Sequence, residues 1–117
     1  MQFGTHVQID LQTKRPPTER TVLRFIQDLI NDLKLHVVFG PQIARHNRHL
    51  TALAIIAESH ISVSCYGSTV FIDVFSCVPI DKDTIIRLCS RYFAPVSLRE
   101  RVFPRGNLTE GTKVQGV

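Results

Sequence analysis

Three polar residues in a row, Glu58-Ser59-His60, interrupt an otherwise apolar stretch between Leu50 and Cys65. Groups that need hydrogen bonds inside what reads as strand are unusual. On residue type alone, a Glu or Ser at a strand end is more often a satisfied structural group than a reactive one. Cysteine supplies the second candidate chemistry. Cys65, Cys77 and Cys89 are odd in number and each is 12 residues from the next. No pair has the short gap of a zinc knuckle, and each thiol reads either as a small buried hydrophobe or as a working nucleophile or acid. Among the histidines, His46 and His49 flank a basic run, Arg45-His46-Asn47-Arg48-His49, but no carboxylate or Cys accompanies them, so no metal centre is expected. His6 on a first strand reads as structural, and His36 precedes another strand.

The elements that must position these groups follow from periodicity. Val7, Ile9 and Leu11 alternate with His6, Gln8 and Asp10, which predicts a strand over 3–11. Pro16-Pro17 closes a loop, and Thr18 is a candidate N-cap. Val22, Phe25, Ile26, Leu29, Ile30 and Leu33 then recur at helical spacing, predicting an amphipathic helix that ends near Lys34. His36 to Phe39 is a short apolar piece closed by Gly40-Pro41, and Gln42 to His49 reads as a loop. Leu50 to Ala57 is almost continuously apolar, the pattern of a strand buried on both faces or nearly so. Ile61 to Cys65 and Thr69 to Ser76 alternate around Tyr66-Gly67-Ser68, predicting a hairpin. A second helix is expected from Lys82 or Asp83 to Phe93, stopped by Pro95, and a last strand from Val96 to Phe103. From Pro104 to Val117 the chain reads as a loosely ordered tail. The order β-α-β-β-β-β-α-β predicts one α+β domain, a two-layer sandwich of an antiparallel β-sheet with two helices on one face. The other face of such a sheet must meet either solvent or a partner.

Composition sets the outer bounds. With 117 residues, 44% hydrophobic and 21% charged, the chain is sized and composed for one globular domain. No apolar run approaches the length of a membrane helix, and Met1 to Asp10 has no basic start followed by an apolar stretch, so no secretory signal is expected, and a cytoplasmic protein without membrane partners is. The net charge of +4 comes from scattered basic residues, and seven Phe, two Tyr and no Trp make a poor stacking platform for bases, so no nucleic-acid partner is expected.

Taken as a whole, Leu53-Ala54-Ile55-Ile56-Ala57-Glu58-Ser59-His60-Ile61-Ser62-Val63 followed by Ile72-Asp73-Val74-Phe75-Ser76-Cys77 resembles the prokaryotic S-adenosylmethionine decarboxylase family. Gly4-Thr5-His6-Val7-Gln8-Ile9-Asp10 is similar to that family's opening strand, Phe39-Gly40-Pro41 to its Phe-x-Pro turn, and Arg105-Gly106 to an Arg-Gly near its C-terminus. The resemblance implies a proenzyme that cleaves itself at Glu58–Ser59. Ser59 would attack the preceding carbonyl, and β-elimination would leave a β chain, residues 1–58, and an α chain, residues 59–117, whose first residue is a pyruvoyl group. That carbonyl would form a Schiff base with the substrate amine and take up the electrons left by carbon dioxide. The resemblance makes Cys77 the donor that protonates the product carbon, and Phe39 the residue that stacks on adenine. It also implies a homodimer with sites between protomers, and a role in supplying aminopropyl groups for spermidine.

The chain departs from the family pattern in the hairpin. Ser64 stands where the family has a second His that assists processing, and the Pro-Glu that follows there is missing. Thr51 stands where the family has a Ser that helps processing, and its hydroxyl is a substitute. Processing here would use another group, His60 or Ser64. Without the acidic residue that holds the substrate ribose, ornithine or arginine becomes an alternative substrate, and an uncleaved binding or regulatory homologue a third reading.

Overall fold

The computed structural model describes residues 3–106 together with Gly111 and Val114. Six strands and two helices follow in the order β1 (Gly4–Gln12), α1 (Glu19–Asp32), β2 (Val37–His46), β3 (His49–Ile56), β4 (Ser59–Tyr66), β5 (Thr69–Ser76), α2 (Lys82–Phe93) and β6 (Ser97–Arg105). The strands form one sheet in the order β2-β3-β4-β5-β1-β6, and every neighbouring pair is antiparallel. This is the expected α+β sandwich.

Both helices cover the same face because both carry an apolar stripe. Val22, Phe25, Ile26, Leu29 and Ile30 of α1 and Ile85, Leu88, Cys89 and Phe93 of α2 are buried. They meet the inward rows of the sheet, including Val7, Ile9 and Leu11, Ala52, Ala54 and Ile56, Ile61 and Val63, and Val70, Ile72 and Val74. The rings of Phe25 and Phe93 lie 5.0 Å apart where the helices touch, and the Tyr92 hydroxyl donates to the Asp28 carboxylate. Thr18 caps α1 by accepting the Thr21 N–H at 3.2 Å, and Asp81 caps α2 by accepting the Asp83 N–H at 3.0 Å.

Four expectations change. Gln42–His46 is strand, not loop: β2 runs through Gly40-Pro41 with shifts of register on either side and turns at Asn47-Arg48 into β3. As an edge strand it is poorly covered, and only Ile43 packs partly against the core, so no alternation marks it in the sequence. β3 is buried on one face only: Leu50, Ala52, Ala54 and Ile56 point inward while Thr51, Leu53 and Ile55 are exposed. Glu58-Ser59-His60 does not break a strand interior. Ala57 and Glu58 form the turn between β3 and β4, and Ser59 and His60 open β4. Finally, β6 continues through Pro104 and Arg105, and the rest of the expected tail lies outside the described residues apart from Gly106, Gly111 and Val114.

The face away from the helices is open. Register places Phe39, Ile55, His60, Phe75, His6 and Phe103 in one row across all six strands. The His6 ring lies 5.9 Å from Phe103 and 6.2 Å from Phe75, and His60 lies 5.9 Å from Phe75. Such cross-strand neighbours are the unit that stabilises a sheet face.

Candidate active site

The site gathers where the β3–β4 turn meets the end of β5. Ser59 pairs with Ser76 in register, and the Cys77 N–H donates to the Glu58 carbonyl at 2.9 Å. Cys77 is held in place by its neighbour. The buried Ser76 hydroxyl donates to the Val78 carbonyl at 2.9 Å and accepts the Val78 N–H at 3.1 Å, turning the chain out of the sheet. β1 passes this turn so closely that a Cβ on Gly4 would lie 2.5 Å from the Ser76 carbonyl oxygen, so only glycine fits there.

The Ser59 hydroxyl lies 3.1 Å from His60 Nδ1. This is hydrogen-bond distance between a hydroxyl and an imidazole, the pairing that activates a serine where it acts as a nucleophile. Ser59 also carries a φ of +156°, a backbone value uncommon for a residue with a side chain. One peptide carbonyl thus has an N–H donor on its oxygen, a hydroxyl beside it and an imidazole on that hydroxyl. This arrangement can carry acyl transfer from nitrogen to oxygen.

The Glu58 carboxylate is occupied elsewhere. Its Oε1 accepts the His36 N–H at 3.0 Å and its Oε2 lies 2.8 Å from His36 Nδ1. The side-chain bond to His36 holds the Glu58 carboxyl below the ordinary carboxylate range. The Glu58 carbonyl, the group expected to be attacked, accepts the Cys77 N–H, while the carboxylate faces His36 and is no free base.

Cys77 is exposed, and it lines a cleft of about 350 Å³ together with Phe3, Gly4, Thr5, Val78 and Pro79. Cys65 and Cys89 are buried, and burial pushes their thiols up to about 11 and about 12. The three cysteines that look alike by spacing are therefore separated by environment.

Thr51 and Ser64 face each other across β3 and β4, with their hydroxyls 3.5 Å apart. They are not at the Ser59 turn. Ser64 is five residues along β4, about 16 Å at the rise of a strand. The structure brings together Glu58, Ser59, His60 and Cys77, and sets Thr51 and Ser64 apart as a second pair on the open face. Phe39 is 53% exposed on that face, in the row of His60 and two strands away, about 10 Å at ordinary strand spacing.

Two contributors are silent in the sequence. The Cys77 N–H acts through backbone, which no residue type announces. His36 reaches Glu58 across 22 residues, through a bulged strand pair. Away from that turn, Asp73 lies 2.9 Å from His6 Nε2 on the open face. The alternation of β5 marks Asp73 as outward but not its partner.

Residues 5–106 match the family described as S-adenosylmethionine decarboxylase. The crystal structure of the adenosylmethionine decarboxylase from Aquifex aeolicus VF5 is similar in fold, with a TM-score of 0.72 at 19% identity, covering 97% of this chain and 98% of that one. No curated protein matches the chain.

Proposed function

The chain belongs to the S-adenosylmethionine decarboxylase family, and from that premise we propose that it cleaves itself at Glu58–Ser59 and then decarboxylates S-adenosylmethionine. The observation that carries this reading is the pairing of two contacts on one peptide bond: Cys77 N–H on the Glu58 carbonyl at 2.9 Å, and His60 Nδ1 on the Ser59 hydroxyl at 3.1 Å. The family's second processing His is replaced by Ser64, and His60 is the imidazole placed to do its work.

The residues fit the making of a pyruvoyl group. His60 Nδ1 takes the hydroxyl proton as Ser59 Oγ bonds to the Glu58 carbonyl carbon. The Cys77 N–H supports the negative charge on that oxygen. The C–N bond breaks, the amine of Ser59 takes the proton from His60, and an ester joins Glu58 to Ser59 Oγ. Loss of the Ser59 α-proton expels the Glu58 carboxylate from Cβ. Water then replaces the amine as ammonia, leaving residues 1–58 as one chain and 59–117 as the other. The pyruvoyl carbonyl supplies the electron sink that loss of carbon dioxide from an α-amino acid requires. The Cys77 thiol, on the wall of the cleft, delivers the proton to the product carbon. Phe39 offers its exposed ring to adenine.

The reading includes a dimer. Phe39, Leu53, Ile55, Phe71 and Phe103 are large apolar side chains at least 38% exposed on the open face, more than a solvated sheet ordinarily carries. Thr51 and Ser64 are too far along their strands to serve Ser59 of the same chain. In a two-fold dimer joined through this face, the pair from one copy would serve Ser59 of the other, and the contact would be made twice. Sheets stacked this way are about 10 Å apart, a gap filled by side chains.

Carbon dioxide release tests the reading. The purified protein should release it from S-adenosylmethionine, and Ser59→Ala should release none. Release from ornithine or arginine instead would move the chain to the amino-acid decarboxylases, and release from none of the three would leave a binding homologue.

A further inference from the structure

We infer that His36 is a positioning residue for self-cleavage, gripping the β3–β4 turn so that the Glu58 carbonyl is presented to Ser59. The inference rests on the self-cleavage reading above. Three bonds make the grip. The His36 carbonyl accepts the Ala57 N–H at 2.7 Å, the His36 N–H donates to Glu58 Oε1 at 3.0 Å, and His36 Nδ1 meets Glu58 Oε2 at 2.8 Å. Both turn residues are thereby tied to one residue outside the hairpin.

The anchor behind the grip is firm. After α1, Lys34 takes a left-handed φ of +55°, its N–H donates to Asn31, and the Leu35 N–H donates back to the Ile30 carbonyl at 2.9 Å. This closes the helix end in the manner of a Schellman turn. Leu35 is buried in the core, which fixes the next residue, His36, relative to both helix and sheet. A two-residue turn would otherwise swing freely at the end of a hairpin. Here its second residue carries the carbonyl to be attacked, where small displacements are costly.

An ordinary surface ion pair explains these contacts less well. Such pairs contribute little and leave both partners in water. The His36 side chain is 77% exposed, but the Glu58 side chain is only 12% exposed, both of its oxygens are used, and one of them takes a backbone N–H. The depressed Glu58 carboxyl agrees with a grip made on the ionised form.

The test follows cleavage of the full chain by intact mass, sampling a pulse of cell-free synthesis over time. His36→Ala should slow cleavage about 10- to 100-fold, the penalty expected when reacting atoms are misplaced by about 1 Å. His36→Asn, whose amide nitrogen falls at the place of Nδ1, should recover most of the rate, and His36→Gln, which mimics the other ring nitrogen, should not. His36→Ala and Glu58→Gln should be non-additive when combined, as for two partners in one contact. In the uncleaved Ser59→Ala background, His36→Ala should lose only the small stability that an exposed contact contributes and stay folded at the temperature of the cleavage assay, separating positioning from folding. A wild-type chain that cleaves, beside a His36→Ala variant that cleaves as fast, overturns this inference alone. So does an Asn variant as slow as the Ala variant, or a rate loss that follows unfolding. A wild-type chain that stays whole overturns the self-cleavage reading and this inference with it.

Discussion

Replacing His60 by alanine removes the one imidazole that touches the Ser59 hydroxyl. The size of the effect follows from the geometry. His60 Nδ1 lies 3.1 Å from Oγ, within reach of direct proton transfer. Thr51 and Ser64, about 16 Å away along the strands, cannot replace it within the same chain. A general base so placed contributes about 10²- to 10⁴-fold, which at about 1.4 kcal/mol per factor of ten is about 3 to 5 kcal/mol on the barrier to cleavage. The cost to the fold is smaller. His60 is partly buried and keeps one edge contact, to Phe75 at 5.9 Å, and such ring pairs contribute about 0.5–1.5 kcal/mol. His60→Ala should therefore fold, with little change in its thermal transition, and cleave at least about a hundredfold more slowly. The assay is the ratio of fragments to whole chain by intact mass during synthesis. Cleavage within a factor of about two of wild type, with the fold intact, would refute His60 as the base, since a base is worth at least about a hundredfold.

Further outcomes follow from the same site. Cys77→Ala should still cleave, because the donor to the Glu58 carbonyl is the backbone N–H, while carbon dioxide release should fall by about 10²-fold or more with the loss of a proton donor; loss of both together would contradict the separation. Leu53→Asp with Ile55→Asp should convert a dimer to a monomer in light scattering, since two carboxylates would be buried in an apolar contact, and a dimer that survives would move the interface elsewhere. Co-expressed with a Ser59→Ala chain, a Thr51→Ala, Ser64→Ala chain should recover the cleavage it lacks alone; failure to recover would place the hydroxyl pair outside the site. The depressed Glu58 carboxyl gives a signed pH effect. Its folded value lies below the reference of 4.5, so its stabilisation is present above about 4.5 and is lost as pH falls through the folded value. In the uncleaved Ser59→Ala background, Glu58→Gln should flatten the acid limb of melting temperature against pH, and an unchanged limb would count against the His36 contact.

What the sequence revealed depended on where each element sits. β1, β5 and both helices lie under or beside the core, so burial imposes a period on their residues and their spans are readable within a residue or two. β2 is an edge strand that α1 touches but covers poorly, so little enforces alternation there, and Gln42 to His46 consequently reads as loop. The continuous apolar run of β3 is a real signal with a different cause: Leu53 and Ile55 are apolar because the open face is apolar, not because a second helix layer covers it. Ser59, His60 and Cys77 could be named in advance because the family pattern labels them. The contacts that make them a site could not. One is a backbone N–H, indifferent to residue type. Another joins His36 to Glu58 through a bulged register that leaves no regular spacing. The Thr51 and Ser64 pair is legible as two hydroxyls, while their distance from Ser59 appears only when the strands are laid side by side.

Intact mass of the purified wild-type protein, with sequencing of the C-terminal fragment, tests the account at its centre. It predicts two fragments that part between Glu58 and Ser59, the second with a pyruvoyl group in place of a free amino terminus. A single chain of 13.3 kDa that persists on storage would contradict it.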